Sequence, residues 1–331
     1  MGVKTLRKLQ FGTESTKGTL VAATTVWGGT GTIEDMIDVK LADEDVGLMM
    51  GRTRTYVASK GAKLTTEAEA TFEQLPVIFD SGVKTVAGSQ DGAGTDYIYT
   101  YALPTTAANV IKARTWEGGD DAGAEVMEYG FVTDFKLTGK FNEAIKMSAE
   151  WAGRQVAVQA FTAAIAVPTL SVIPFNTGIL YIDPTTTFPA TTAKSNTLLS
   201  MEFGGKTGFV PFPAASGNLY FGAEKQVAPE FELKIVFEHD ATSVAEKVAW
   251  RAQTPRAIRL KWTGAAVGTG GTTYSVKTFI IDVTGVWTKF DKIGEENGDD
   301  IVAGTLVCRY DAVEPTSGQF IIVNELSALS G

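Results

Sequence analysis

The sequence predicts a mainly β protein of two similar tandem domains, each with one α-helix. Three observations carry the prediction. Apolar and polar residues alternate with a period of two, helix signals are confined to two short stretches, and the order of elements recurs half a chain apart. At 331 residues the chain exceeds one ordinary core and suits two domains of roughly 150 residues each. They are placed at 1–165 and 166–331, with a linker over Ala164–Pro174, where Pro168 and Pro174 interrupt the pattern.

The alternation is clearest in three segments. Thr32–Leu41 sets Ile33, Ile37, Val39 and Leu41 against Glu34, Asp38 and Lys40. Lys63–Thr71 sets Leu64, Thr66, Ala68 and Ala70 against Lys63, Thr65, Glu67 and Glu69. Phe131–Leu137 behaves alike, and Ile145–Trp151 follows it after a polar turn, as the return strand of a long hairpin. Each pattern implies a strand with one wet face.

Pro76 marks the first turn of one short helix, which Gly82 can end. Asp240 caps a second, from Ala241 to about Ala252, whose Ala241, Val244, Ala245 and Val248 share a face expected to be buried. The helices are offset by about 165 residues. In each half a Glu- and Lys-bearing strand (Lys63–Thr71; Phe231–Glu238) leads into the helix. Then come a strand (Tyr97–Leu103; Arg256–Thr263), a Gly-rich connection, a long strand (Glu128–Gly139; Tyr274–Trp287) and a closing strand (Ile145–Arg154; Gly304–Asp311). That order reads as a diverged duplication.

Two long connections stand outside this common order, at 42–61 and 204–226. Met49, Met50, Arg52, Arg54 and Tyr56 in the first, and Phe209, Phe212 and Tyr220 in the second, are the residue types that interface cores favour. They are the candidate interface contacts.

Chemistry is sparse. The chain has one His and one Cys, too few for the usual zinc sites or a histidine-based triad. His239 falls at a strand-to-helix junction, and Cys308 alternates with Leu306 as a buried apolar residue. Gly29-Thr30-Gly31 and Gly268-Thr269-Gly270 lack the third glycine of a phosphate-binding loop and read as loops. Asp120-Asp121 and the cluster at 295–300 lack EF-hand spacing and read as solvated turns. No catalytic constellation, metal site or cofactor site emerges. A net charge of −9 argues against a protein that grips nucleic acid, because counterion release needs clustered Lys and Arg. Met1–Phe11 lacks the apolar run of a secretion signal, so synthesis in the cytoplasm is expected.

The stretch Gly12-Thr13-Glu14-Ser15-Thr16-Lys17-Gly18-Thr19-Leu20-Val21-Ala22-Ala23-Thr24 resembles the start of many major tail tube proteins of long-tailed, non-contractile bacteriophages, with their GxExTxGTxVAAT pattern. Thr71-Phe72-Glu73-Gln74-Leu75-Pro76 and Met147–Gln155 resemble them as well, while the second half matches chiefly in element order. The resemblance implies that each domain is a β-sandwich or partial barrel with one flanking α-helix, stacked in rings whose inner sheets join into a tube. For a duplicated member it implies a homotrimeric ring with pseudo-sixfold symmetry, in the virion tail. Partners would be further copies of the chain, a tape-measure protein, and tail-tip and tail-terminator proteins, with DNA passing through unbound. On that reading the candidate lumen carboxylates are Glu67, Glu69, Glu232 and Glu238, then Asp38, Asp134 and Glu150. The rival reading is a surface-layer or adhesion protein of tandem immunoglobulin-like sandwiches; a β-sandwich glycoside hydrolase comes third.

Overall fold

Strands wet on one side and apolar on the other need a second layer, and this chain meets the need by running one strand order twice. The computed structural model describes residues 2–296 and 298–329. The first half contains β1 (Lys8–Thr13), β2 (Thr25–Val26), β3 (Thr30–Leu41), β4 (Thr55–Glu69), α1 (Leu75–Gly82), β5 (Ser89–Gln90), β6 (Tyr97–Ala102), β7 (Arg114–Gly119), β8 (Ala124–Lys140), β9 (Lys146–Gly153) and β10 (Val156–Val158). The second contains β11 (Gly178–Pro184), β12 (Ala193–Lys194), β13 (Leu198–Lys206), β14 (Phe209–Phe212), β15 (Ala223–Gln226), β16 (Glu230–Glu238), α2 (Ala241–Arg251), β17 (Arg256–Ala266), β18 (Val276–Phe290), β19 (Gly294–Glu296), β20 (Asp299–Cys308) and β21 (Gly318–Asn324).

One layer is a continuous antiparallel sheet in the order β3-β4-β9-β8-β13-β16-β20-β18. Its first four strands and its last four follow the same plan: in each, the second strand leads into the helix and the fourth is the long one. The units join where β8 pairs with β13, from Lys140 opposite Ser200 to Asp134 opposite Lys206. A single row of residues crosses the whole sheet: Thr30, Glu67, Ser148, Lys136, Gly204, Glu232, Val307 and Val286. The repeat expected from element order is thus present in the hydrogen-bonded topology.

The other layer is outer and smaller. In the first half it runs β2-β1-β7-β8-β10, and in the second β12-β11-β17-β18-β21. β8 and β18 belong to both layers, because each crosses from the outer sheet to the continuous one. The crossings fall at Gly130 and Gly285, opposite Arg114 and Arg256. A Cβ at Gly130 would press on the Arg114 carbonyl, and one at Gly285 on the Val307 carbonyl, so neither crossing has room for a side chain. Beneath both layers one core runs from Leu9 and Trp27 through Phe79 and Phe135 to Trp287 and Phe320.

Several expectations need correction. The counterpart of β17 is β7, not the Tyr97–Leu103 segment. That segment forms β6, an insertion of the first half that crosses over to pair with β21 of the second. The connection at 42–61 is mostly strand at its end, since β4 starts at Thr55, and the loop proper is 42–54. The connection at 204–226 is a small hairpin, β14 with β15. Phe209, expected at an interface, is only 2% exposed, because β14 presses it into a cluster with Tyr129, Phe131 and Phe221. Gly31 and Thr30, read as loop, open β3.

The helices form where expected. Pro76 sits in the first turn of α1, and Asp240 caps α2 by accepting from the Ser243 N–H at 2.8 Å. The buried face of α2 is not the expected one: Ser243, Glu246 and Ala249 point inward, while Ala241, Val244, Ala245 and Val248 are exposed. Glu246 explains the rotation. It accepts hydrogen bonds from Arg256 Nε at 3.0 Å and from Trp287 Nε1 at 2.8 Å. The first half repeats the device. Arg114, first in β7 as Arg256 is first in β17, pairs with Asp80 of α1 at 2.9 Å, with both side chains fully buried. Burial raises the pKa of Asp80 and lowers that of Arg114, so each needs the other to keep its charge.

Breaking a buried pair from one side costs about 3–5 kcal/mol. Asp80→Ala is therefore expected to lower the urea midpoint steeply. Glu246→Ala should lower it less, because Arg256 keeps some contact with water.

Candidate functional site

Interfaces are built from unfinished structure, and the continuous sheet is unfinished at both ends. β3 pairs with β4 on one side and, among the described residues, with no strand on the other. At the opposite end, β18 loses β21 after Val283 and β17 after Gly285, so among the described residues β20 is the only strand paired with Val286–Phe290, and Gln253 Nε2 donates to Trp287 O at 3.4 Å. The equivalent half of β8 has two neighbours, β9 and β13. The open edge of β18 thus lacks the neighbour that β8 has in β13, and β3, the counterpart of β13, is the strand left open at the other end. Backbone groups of alternate residues point to opposite sides of a strand, and the ladder with β4 leaves those of Ile33 and Asp35 turned outward. Unpaired strand edges are templates for further pairing.

All seven candidate carboxylates lie on the wet face of this sheet. Glu67 and Glu69 of β4, Glu150 of β9, Asp134 of β8, Glu232 and Glu238 of β16, and Asp38 near the far end of β3 share one side by register. The face is a mosaic rather than uniformly acidic. Lys63 pairs with Glu150 at 3.1 Å, Lys136 with Glu202 at 2.9 Å, Lys206 with Glu230 at 3.6 Å and Lys40 with Asp38 at 3.0 Å. Glu67, Glu69, Glu232 and Glu238 form no ion pair among the described residues, nor do Glu34, Asp134 and Lys234 of the same face, so these carboxylates together leave it negative. Sequence alternation puts Lys40 and Lys63 on the wet face, but it does not show which carboxylates they meet across strands.

The distal half of the β3–β4 hairpin extends past the outer layer. Only Ile33 of the apolar set on β3 is buried; Ile37, Val39 and Leu41 are exposed. At the tip Met49 is 107% and Met50 90% exposed, with Tyr56 exposed beside them. Arg52 and Arg54 fold back onto Asp43 and Glu44 of the same loop. In the β14–β15 hairpin Phe212 is exposed, whereas Tyr220 is half-buried under Arg154, whose guanidinium lies 5.1 Å from its ring. Between the two hairpins lies an open cleft of about 1170 Å³, lined by Met36, Lys60, Trp151, Pro213 and Leu219 among others. A backbone bond from Lys60 N–H to Leu219 O, 2.8 Å, links its walls.

The N-terminal motif proves to be a folding element. Glu14 is buried and accepts from the N–H groups of Gly18 at 2.5 Å and Tyr129 at 2.7 Å and from the Thr115 hydroxyl at 3.0 Å. Gly18 has φ +77, and a Cβ there would collide with the Arg154 guanidinium. Tyr129 itself has φ +56, in the left-handed region, just where β8 begins to change layers. The motif thus clamps the layer crossing of the first half.

Among the described residues no group of three or more His, Cys, Asp or Glu is placed to hold a metal ion. His239 is exposed, and burial pushes the Cys308 thiol up to about 12. No protein-family model matches the chain, and no curated protein is similar to it in sequence.

Burial, and then the neighbouring Glu150, raise the pKa of Asp134. A carboxyl raised in the folded state penalises folding once ionised, so the penalty is present at neutral pH and disappears below the ordinary carboxylate range. Asp134→Asn is expected to raise the Tm at pH 7 and leave it unchanged near pH 3.

Proposed function

We propose that this chain is the tube-forming structural protein of a long-tailed phage: copies close into rings, the rings stack, and DNA passes through the channel during genome delivery. The observation that carries the reading is the junction of β8 with β13. It joins two equivalent units edge to edge inside one chain and leaves one edge of each kind open at the ends. The same junction made between copies, β3 of one against Val286–Phe290 of the next, is heterologous and closes into a ring if the rotation permits. Closure removes both open edges. Two units per copy and the N-terminal resemblance favour three copies with pseudo-sixfold symmetry.

The wet face would then line the channel. Its unpaired Glu67, Glu69, Glu232 and Glu238 repel phosphate, while most of its lysines are neutralised by neighbours, which suits a surface that DNA must pass without sticking. The β3–β4 tip with Met49 and Met50 is the part suited to reach an adjacent ring. In this reading the protein resides in the virion tail, meets tape-measure, tail-tip and terminator proteins, and takes no cofactor. Tandem adhesion domains would more naturally keep separate sheets and separate cores.

Negative-stain microscopy of the purified chain is expected to show hollow tubes. Asp35→Pro deletes an outward N–H on an edge strand, where proline is tolerated, so the variant should stay folded and form none. A wild-type chain that remains monomeric under all conditions removes the reading in favour of the adhesion alternative. Phage carrying Glu67→Lys with Glu232→Lys should assemble tails yet deliver DNA poorly; unchanged infectivity would discard the channel role of these carboxylates.

A further inference from the structure

The two helices hold equivalent places in the repeat but differ in what covers them. All of α1, Leu75 to Gly82, is buried. Part of its cover is β6, with Tyr101 5.6 Å from Phe79 between ring centroids. The rest comes from the outer layer of the second half. Phe320 of β21 stacks on Phe79 at 4.6 Å, and Phe279 of β18 lies 6.2 Å away. Just before the helix, Asn324 Nδ2 donates to Phe72 O at 2.8 Å, and Lys277 pairs with Glu73 at 2.7 Å. The helix of one unit is thus roofed by β18 and β21 of the unit that follows it.

α2 has no following unit within the chain. Its Ala241, Val244, Ala245 and Val248, at helical spacing on one face, are all exposed, with Val244 at 49% and Val248 at 57%. Nor does it have a counterpart of β6, because the chain passes from α2 almost directly to β17. We propose that this apolar stripe is an interface with a second copy of the chain, roofed by that copy's β8 and β10 as α1 is roofed by β18 and β21. The inference rests on the ring reading above, since the copy that brings β3 to Val286–Phe290 is the one that would bring β8 and β10. β10 is the outer-layer counterpart of β21, and its Val158 is 88% exposed, an apolar group without cover on the face required.

The test is thiol accessibility of Val248→Cys in monomer and in assembled tubes, read by maleimide labelling. The variants carry Cys308→Ala as well, because the native thiol is only partly buried. The expected result is rapid labelling of the monomer and loss of labelling in tubes. As a second variant, Val248→Asp should keep the monomer's circular dichroism and Tm and abolish assembly, with Val248→Leu assembling normally. Tubes that label at the monomer's rate, or Val248→Asp chains that still polymerise, overturn the helix contact and leave the ring reading standing. A wild-type chain that never assembles overturns both.

Discussion

Backbone N–H and C=O groups that are removed from water must find partners, and the ladder between β8 and β13 is where this chain satisfies that demand across its own midpoint. Without it the chain would be two small sheets, each with two raw edges. With it, the edges at the midpoint are consumed and two remain, one at each end. The core follows the same division. Because β8 and β13 are neighbours, Phe135 and Phe203 approach to 6.2 Å, and Phe320 of the second half stacks on Phe79 of the first. The aromatic core is therefore continuous because the sheet is, and the ion pairs Asp80–Arg114 and Glu246–Arg256 tie each helix to it.

Each unit copes with the same difficulty, a long strand that must serve two layers. Glycine at the crossings, Gly130 and Gly285, admits the close approach of a neighbouring backbone. An arginine opposite each crossing reaches a helix carboxylate and ties the layers together. The N-terminal motif adds a clamp that the second half lacks, through Glu14 and its bond to Tyr129. That asymmetry accounts for why the motif residues are confined to the first half although the topology is shared.

Much of this was legible in the residues. The period-two alternation located β3, β4 and β8, Pro76 and Asp240 located the helices, and the order of elements revealed the repeat. What stayed hidden depends on contacts between distant segments. β6 reads like any amphipathic strand, and nothing in Tyr97–Ala102 says that its partner is β21, more than two hundred residues away. The stripe of α2 looks like a core face because sequence periodicity reports an apolar side without naming the molecule that covers it. Phe209 looks like an interface residue because it lies in a connection, and only its packing with Tyr129 and Phe221 shows otherwise. The pairing of the wet-face lysines stayed hidden for a related reason, since alternation separates wet from dry and says nothing of which charges meet across strands.

The central claim is that the junction inside the chain is repeated between chains, and hydrogen–deuterium exchange tests it most directly. The account predicts that on assembly the amides of Ile33 and Asp35 in β3, together with the amides of Val286–Phe290 that face away from β20, become strongly protected, to the level of the β8–β13 ladder in the monomer. Tubes in which those amides exchange as fast as in the monomer would contradict it.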